Sequence, residues 1–460
     1  MATISIMHGS FTKFGKRRKG TRFKNMRDMA HKTNWVTAER RGEVFLASRS
    51  NLWKALGPGI LVACAAIGGS HLVWSTRAGA EFGWSLLWLV LVANLLKFPF
   101  FFFGQRYTAA TGESLLAGYK RLGIAYVWVF LTINILTGTI NIAGVSMLSG
   151  ALLSGYGITT ISVPHLTVGV LITCAGLLLV GHYKLLDSLA KIIITVLGIS
   201  TILAVGLALP NQPEIAADFV APSPYQWASF AFIISLLGWM PAPIDLSAWS
   251  SLWMFSREKQ TGHVATVKES TIDFYIGYLA AVVLAVLFVA LGVLVMYGSG
   301  ESFAAGGVGF ANQLVSLYTT SIGEWSHLLI LSAAFITMFS TSLTCLDGYP
   351  RSFAACSSLI KDLPPEKFQR IQNFWIILST ILASLVVLLF AKSLLHLLSF
   401  AAIVSFITSP VLAYINYRVM SGENVPKEFR PDILLKLLSW VGIAFFTLMS
   451  LAYLYIRFLS

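Results

Sequence analysis

Ile67-Gly68-Gly69-Ser70-His71 and Met240-Pro241-Ala242-Pro243-Ile244-Asp245 each stand in the middle of a long apolar run. In a helix interior Gly costs about 1 kcal/mol and Pro about 3 relative to Ala, so both stretches should break or unwind a helix. Non-helical backbone at membrane depth is tolerated only where it is buried in protein or lines a wet cavity. The two breaks lie five spans apart, each in the first helix of a presumed half. Broken helices at matching positions point to an inverted-repeat transporter with its site near the bilayer midplane. The plainer explanation is that Gly and Pro are common in membrane helices. The matched placement favours the repeat, although the halves show no residue-level self-similarity.

Composition supports the membrane reading. Of 460 residues, 56% are apolar and only 12% are Asp, Glu, Lys or Arg, against about 25% charged in a typical soluble domain. Mean hydropathy is +0.74. Three soluble domains could not cover their surfaces with so few charges. A disordered chain, a fibre and a secreted disulfide scaffold are excluded as well. Cys64, Cys174, Cys345 and Cys356 show no Cys-x-x-Cys spacing and read as small buried apolar residues. A hydrocarbon core about 30 Å thick needs about 20 apolar residues per helix. Runs of that size predict an all-α polytopic membrane protein with eleven spans, near 55–80, 84–104, 126–153, 166–182, 186–208, 228–254, 272–297, 326–347, 372–391, 393–417 and 435–458.

Loop charge orients the chain. Residues 1–54 hold thirteen Lys and Arg against Asp28, Glu39 and Glu43, most of the net +13 of the chain. The loops 154–165, 209–227 and 298–325 contain no Lys or Arg, whereas the alternate loops carry them. By the positive-inside rule, the N-terminus is expected in the cytoplasm and the C-terminus outside, in an inner (plasma) membrane. The basic tail 1–54, with Lys16-Arg17-Arg18-Lys19, is read as a topology signal that can touch anionic lipids of the bilayer, rather than as a nucleic-acid segment. No cleavable signal peptide is expected. The loop 298–325 carries a short amphipathic stretch, Phe310 to Tyr318.

The stretches flanking the breaks resemble the NRAMP metal transporters. The first resemblance is in Leu56-Gly57-Pro58-Gly59-Ile60, Arg77-Ala78-Gly79-Ala80 and Phe82-Gly83-Trp84-Ser85-Leu86-Leu87-Trp88. The second is in Pro241-Ala242-Pro243-Ile244-Asp245-Leu246-Ser247-Ala248-Trp249. The resemblance implies the LeuT-type fold: inverted five-helix repeats (about 55–208 and 228–417) plus one extra helix (about 435–458), in a transporter domain spanning 55–460. It places the site at the unwound parts of helices 1 and 6, where the family holds a divalent transition metal and couples its uptake to protons. The family's ligands do not carry over. Its metal-ligating Asp and Asn align with Gly68 and His71, and its Met aligns with Ala242. Two family histidines align with Ile244 and Trp249, and an acidic pair with Thr139 and Ile142, near Asn134 and Asn141. Weak or different proton coupling is expected.

The candidate substrate-binding residues are therefore Gly68, Gly69, Ser70, His71, Ala242, Pro243, Asp245, Ser247 and Thr408. Asp245 leads, since an ionisable residue inside a span is costly unless it functions. Lys97 is expected to snorkel toward the cytoplasm. Asp187–Lys191 and Asp347–Arg351 read as local ion pairs. Without the family's carboxylate and thioether, the site is expected to carry a small polar organic solute such as an amide, urea-like compound or amine. The alternative is a divalent ion, Mg²⁺ or Mn²⁺, with Asp245 and His71 as the ligands if metal is bound. A passive channel or uniporter ranks third. No resident cofactor is expected. Ser70 and His71 are adjacent and cannot form a dyad on a helix. No Gly-x-Ser-x-Gly, His-Glu-x-x-His or phosphate loop is present, so an enzyme is not expected.

Overall fold

A computed structural model describes residues 51–158, 160–210, 215, 219–299, 303–390 and 393–458, with the side chains of 182–194 and 321 left out. Residues 1–50 of the basic tail, and the side chains of Asp187 and Lys191, lie outside the described residues. All regular secondary structure among the described residues is helical.

The first span is divided into α1 (Pro58–Ala66) and α2 (Thr76–Phe82). Between them, Ile67–Ser75 winds in wide π-type turns, with Gly68 off the helix at φ −76° and ψ −114°. Then come α3 (Leu87–Thr111), the short α4 (Leu115–Leu122), α5 (Ile124–Ser154) and α6 (Val163–Ala208). The second broken span is α7 (Trp227–Trp239) and α8 (Leu246–Thr261). It is followed by α9 (Val267–Met296), α10 (Gly307–Ile322), α11 (His327–Ile360), α12 (Phe368–Leu389) and α13 (Leu394–Met420). α14 (Ile433–Phe458) ends the described chain.

Eight helical runs among the described residues are long and apolar enough to cross a membrane, against eleven spans expected. The difference has local causes. Pro58–Thr111 is one run that holds the spans expected at 55–80 and 84–104. The spans expected at 166–182 and 186–208 lie in one helix, α6, which no proline interrupts after its first turn. The span at 228–254 is cut by its break into α7 and α8, each too short to count alone. The amphipathic stretch 310–318 lies in α10, with Phe310, Leu314, Val315 and Tyr318 buried.

Lipid is as apolar as leucine, so membrane helices associate through close backbone packing and hydrogen bonds. α7 meets α13 at Gly238, where an added Cβ would stand 2.0 Å from Ala402 O. α2 meets α9 at Gly79, where a Cβ would stand 2.1 Å from Val289 O.

Buried charge ties the segment before α1 to α8 and α9. Asp273 of α9 accepts from Gly57 N at 2.8 Å, Gly59 N at 2.6 Å and Gln105 Nε2 at 3.1 Å. Glu269 caps α9 and accepts from Asn51 N at 2.7 Å. Arg257 donates to Lys54 O at 2.8 Å and Trp53 O at 2.9 Å. Three side chains thus hold the entry to α1. Asp347 likewise joins three helices. It accepts from Arg351 at 2.7 and 2.9 Å, as its sequence position suggested, and also from Trp253 Nε1 at 2.7 Å and Gln372 Nε2 at 3.1 Å.

Two outcomes follow from this packing. Gly238→Val should lower the thermal midpoint of the detergent-solubilised protein, by a loss on the order of 1–3 kcal/mol for overpacking; an unchanged midpoint would contradict the close α7–α13 contact. Asp273→Ala leaves two buried N–H groups at the start of α1 without acceptors, each costing about 1–3 kcal/mol. Hydrogen–deuterium exchange in residues 51–66 should therefore accelerate, and unchanged exchange there would show that Asp273 does not hold the segment.

Candidate functional site

The second break begins where α7 ends. Met240 is extended at φ −85° and ψ 118°, and Pro241 and Pro243 have no N–H to give to a helix. Carbonyls freed in this way need donors. Lys97 of α3 supplies them: its Nζ donates to Gly238 O at 2.8 Å and to Ala242 O at 2.9 Å. The expected snorkelling is therefore corrected. Lys97 is wholly buried, because two freed carbonyls and the nearby Asp245 carboxylate offer its head group what the cytoplasmic interface would otherwise supply.

The first break is closed by its own side chains and by α11. Ser70 Oγ donates to Ala66 O, and Thr341 Oγ1 donates to Cys64 O at 3.1 Å. Glycine is required at two positions here. A Cβ on Gly68 would stand 2.4 Å from Thr341 Cγ2, and one on Gly69 would stand 2.3 Å from the Trp239 ring.

Between the breaks lies a cleft of about 330 Å³, its open mouth included. Gly69 and Ser70 line it from the first break, and Ala242 and Pro243 from the second. Asn141 of α5, Cys345 and Tyr349 of α11, and the indoles of Trp239 and Trp249 complete the wall. Asp245 sits at the same break, buried, against the Tyr349 hydroxyl. That hydroxyl accepts from Asn141 Nδ2 at 2.5 Å. Four buried polar atoms of this group have no hydrogen-bond partner: Asp245 Oδ1, Asn141 Oδ1, Trp239 Nε1 and Trp249 Nε1. Most buried polar side-chain atoms in native structures are paired, so such a cluster calls for an explanation, and a bound ligand is one.

The other sequence candidates fall elsewhere. Gly68 shapes the break but packs on Thr341. His71 is not brought beside Asp245. The wide turn of Ile67–Ser75 carries its ring toward α9, where Nε2 lies 2.7 Å from Ala281 O. Nδ1 lies 2.6 Å from Ser70 Oγ and 3.0 Å from Ala66 O, so both ring nitrogens are occupied. The Asp245–His71 ligand pair is therefore not assembled. Ser247 Oγ accepts from Asn416 Nδ2 of α13 at 2.8 Å and does not line the cleft. Thr408 Oγ1 returns to its own helix, at 3.1 Å from Val404 O and Ser405 O.

Sequence reasoning did not assign Cys345, Trp239 or Tyr349 to the site. Nothing in the spacing of Cys345 distinguishes it from the other three cysteines, all of which are buried and outside any disulfide. Asn141 had a signal: it is a polar residue in the apolar run of α5, in the stretch where the resemblance places an acidic pair. Among the described residues no group of three His, Cys, Asp or Glu side chains is placed to hold a metal ion. The cleft wall offers the Asn141 amide oxygen and the Cys345 thiol, and the Asp245 carboxylate lies beside Tyr349 and Cys345 behind it.

The chain matches the natural resistance-associated macrophage protein-like (Nramp) family over residues 59–456. An uncharacterised protein of Pasteurella multocida is 38% identical over 87% of this chain and 92% of its own length. The divalent metal cation transporter MntH of Lacticaseibacillus casei is 26% identical over 57% of this chain, which spans 60% of it. A crystal structure of a variant of the Eremococcus coleocola manganese transporter superposes with a TM-score of 0.66 at 15% identity, covering 92% of this chain and 90% of that one. A nucleobase-cation-symport-1 family transporter superposes with a TM-score of 0.54 at 14% identity, covering 93% of this chain and 96% of that one. The chain belongs to the Nramp family of membrane transporters, with the all-helical LeuT-type fold of the solved transporters it superposes on.

Proposed function

We propose that the chain carries a divalent transition-metal cation by alternating access, and that Asp245, Asn141 and Cys345 are its side-chain donors. One observation carries this reading: two buried oxygens without partners, Asp245 Oδ1 and Asn141 Oδ1, lie in the group around the Cys345 thiol, Asn141 in the same cleft wall and Asp245 beside the sulfur. A carboxylate, an amide oxygen and a sulfur form a mixed hard and soft donor set, and sulfur favours transition metals over Mg²⁺. Related chains of this family carry the name divalent metal cation transporter, which supports the same class of substrate. This order reverses the expectation from sequence, where an organic solute came first because the family's own ligands are replaced. Cys345 and Asn141, which no motif marks, are the reason. Transport would proceed by rocking one helix bundle about the breaks at 68–70 and 241–243. The charge of the loops supports an N-terminus on the cytoplasmic side.

A small polar organic solute is the second reading, and a separate observation favours it. Trp239 Nε1 and Trp249 Nε1 are unpartnered donors that a metal ion cannot use, and both indoles line the cleft.

Titration calorimetry on the purified protein separates the two, with Mn²⁺, Cd²⁺ and a panel of small amides, ureas and amines. The metal reading expects saturable Mn²⁺ and Cd²⁺ binding that Asp245→Ala removes while the variant still purifies as a folded protein. Heat from an organic compound and none from either metal would replace it with the second reading. If metal binds, Cys345→Ser should weaken Cd²⁺ by about tenfold or more, near 1.4 kcal/mol, and Mn²⁺ by less, because Cd²⁺ is the softer ion. Equal losses for both ions would remove the sulfur from the ligand set.

A further inference from the structure

Lys97 is the buried charge that the proposed ligand set does not use. It lies inside α3 with no exposed surface. Its Nζ spans two main-chain oxygens, Gly238 O at 2.8 Å and Ala242 O at 2.9 Å. These are the last-turn carbonyl of α7 and the freed carbonyl between the two prolines. In transporters of this architecture, unwound carbonyls and half-helix C-terminal ends are where cations are coordinated. The C-terminal end of a helix carries partial negative charge, and Asp245 adds a full one nearby. The break therefore builds an oxygen-lined seat for a cation, and a side chain of the protein already fills it.

We infer that Lys97 is a specificity-determining residue: by filling the carbonyl seat at the end of α7, it excludes cations that are held by oxygen alone. Mg²⁺ and Ca²⁺ belong to that class, since both take oxygen ligands and need several of them. With Gly238 O and Ala242 O taken, the oxygens of this group left without partners are Asp245 Oδ1 and Asn141 Oδ1. A transition metal also has the Cys345 sulfur. The nitrogen keeps its place in either protonation state, because an amine has the two N–H groups that the carbonyls require and an ammonium has three. Asp245 is the titratable group beside it at the second break, and Tyr349 of α11 bonds Asp245 in turn. The inference rests on the cleft as the substrate site, but not on which substrate occupies it.

The test measures Mg²⁺ and Ca²⁺ binding directly, by calorimetry on the full chain, so it does not depend on Mn²⁺ binding. Two variants are compared with the wild type. Lys97→Met empties the seat, and Lys97→Gln keeps an amide donor there while removing the long cationic arm. The wild type should show no saturable Mg²⁺ or Ca²⁺ binding at millimolar concentration. Lys97→Met should gain Ca²⁺ or Mg²⁺ binding at least tenfold tighter, and Lys97→Gln should gain less. Adding Asp245→Ala to Lys97→Met should abolish the gain. Mg²⁺ binding to the wild type as tight as that of Mn²⁺ would overturn the inference without any variant. So would a folded Lys97→Met protein with no gain for either ion. A wild type that binds no Mn²⁺ would instead overturn the transition-metal reading, and the Ca²⁺ gain in Lys97→Met would still stand.

Discussion

A backbone group left unbonded in hydrocarbon costs several kcal/mol, and the rest of this structure is arranged around that cost. Two spans are broken, and each break frees carbonyls that no water in the bilayer core can satisfy. At the first break, Ser70 and Thr341 take Ala66 O and Cys64 O. At the second, Lys97 reaches from α3 to take Gly238 O and Ala242 O. The breaks are thus held by side chains from neighbouring helices. The same side chains bring α3 and α11 against the cleft.

The donors that remain after this accounting define the chemistry. Ser70 lines the cleft with its hydroxyl already bonded to Ala66 O, and His71 is turned away to Ala281 O. Asp245 Oδ1 and Asn141 Oδ1 remain unsatisfied, and Cys345 stands in the same wall. The family's fold is retained, and the resemblance aligns the family's ligands with Gly68, His71 and Ala242. In the proposed donor set, Asp245 comes from the second break, and α5 and α11 add Asn141 and Cys345.

The breaks were legible in the sequence because Gly68-Gly69 and Pro241-Ala242-Pro243 act locally: they forbid or weaken a helix whatever surrounds them. Asp245 was legible because a carboxylate in an apolar run is conspicuous. The misplacement of His71 and Lys97 has one physical cause. A residue's position along a helix tells its depth, but not which neighbour its side chain meets. The wide turn of Ile67–Ser75 rotated His71 toward Ala281 O of α9. The carbonyls freed 141 and 145 residues later in the chain drew Lys97 inward. Neither partner is within reach of a local reading.

By itself, the sequence determined the membrane environment, the helical class, the two breaks and the charge asymmetry of the loops. Each of these depends on composition or on a few adjacent residues. Only the tertiary structure decided which side chains share the cleft. Asn141, Asp245, Cys345 and Tyr349 come from three elements separated by about 100 residues each, and their meeting depends on how α5, α8 and α11 pack. That packing is set by backbone contacts such as Gly68 on Thr341 and Gly238 on Ala402, where the missing side chain lets two distant segments touch.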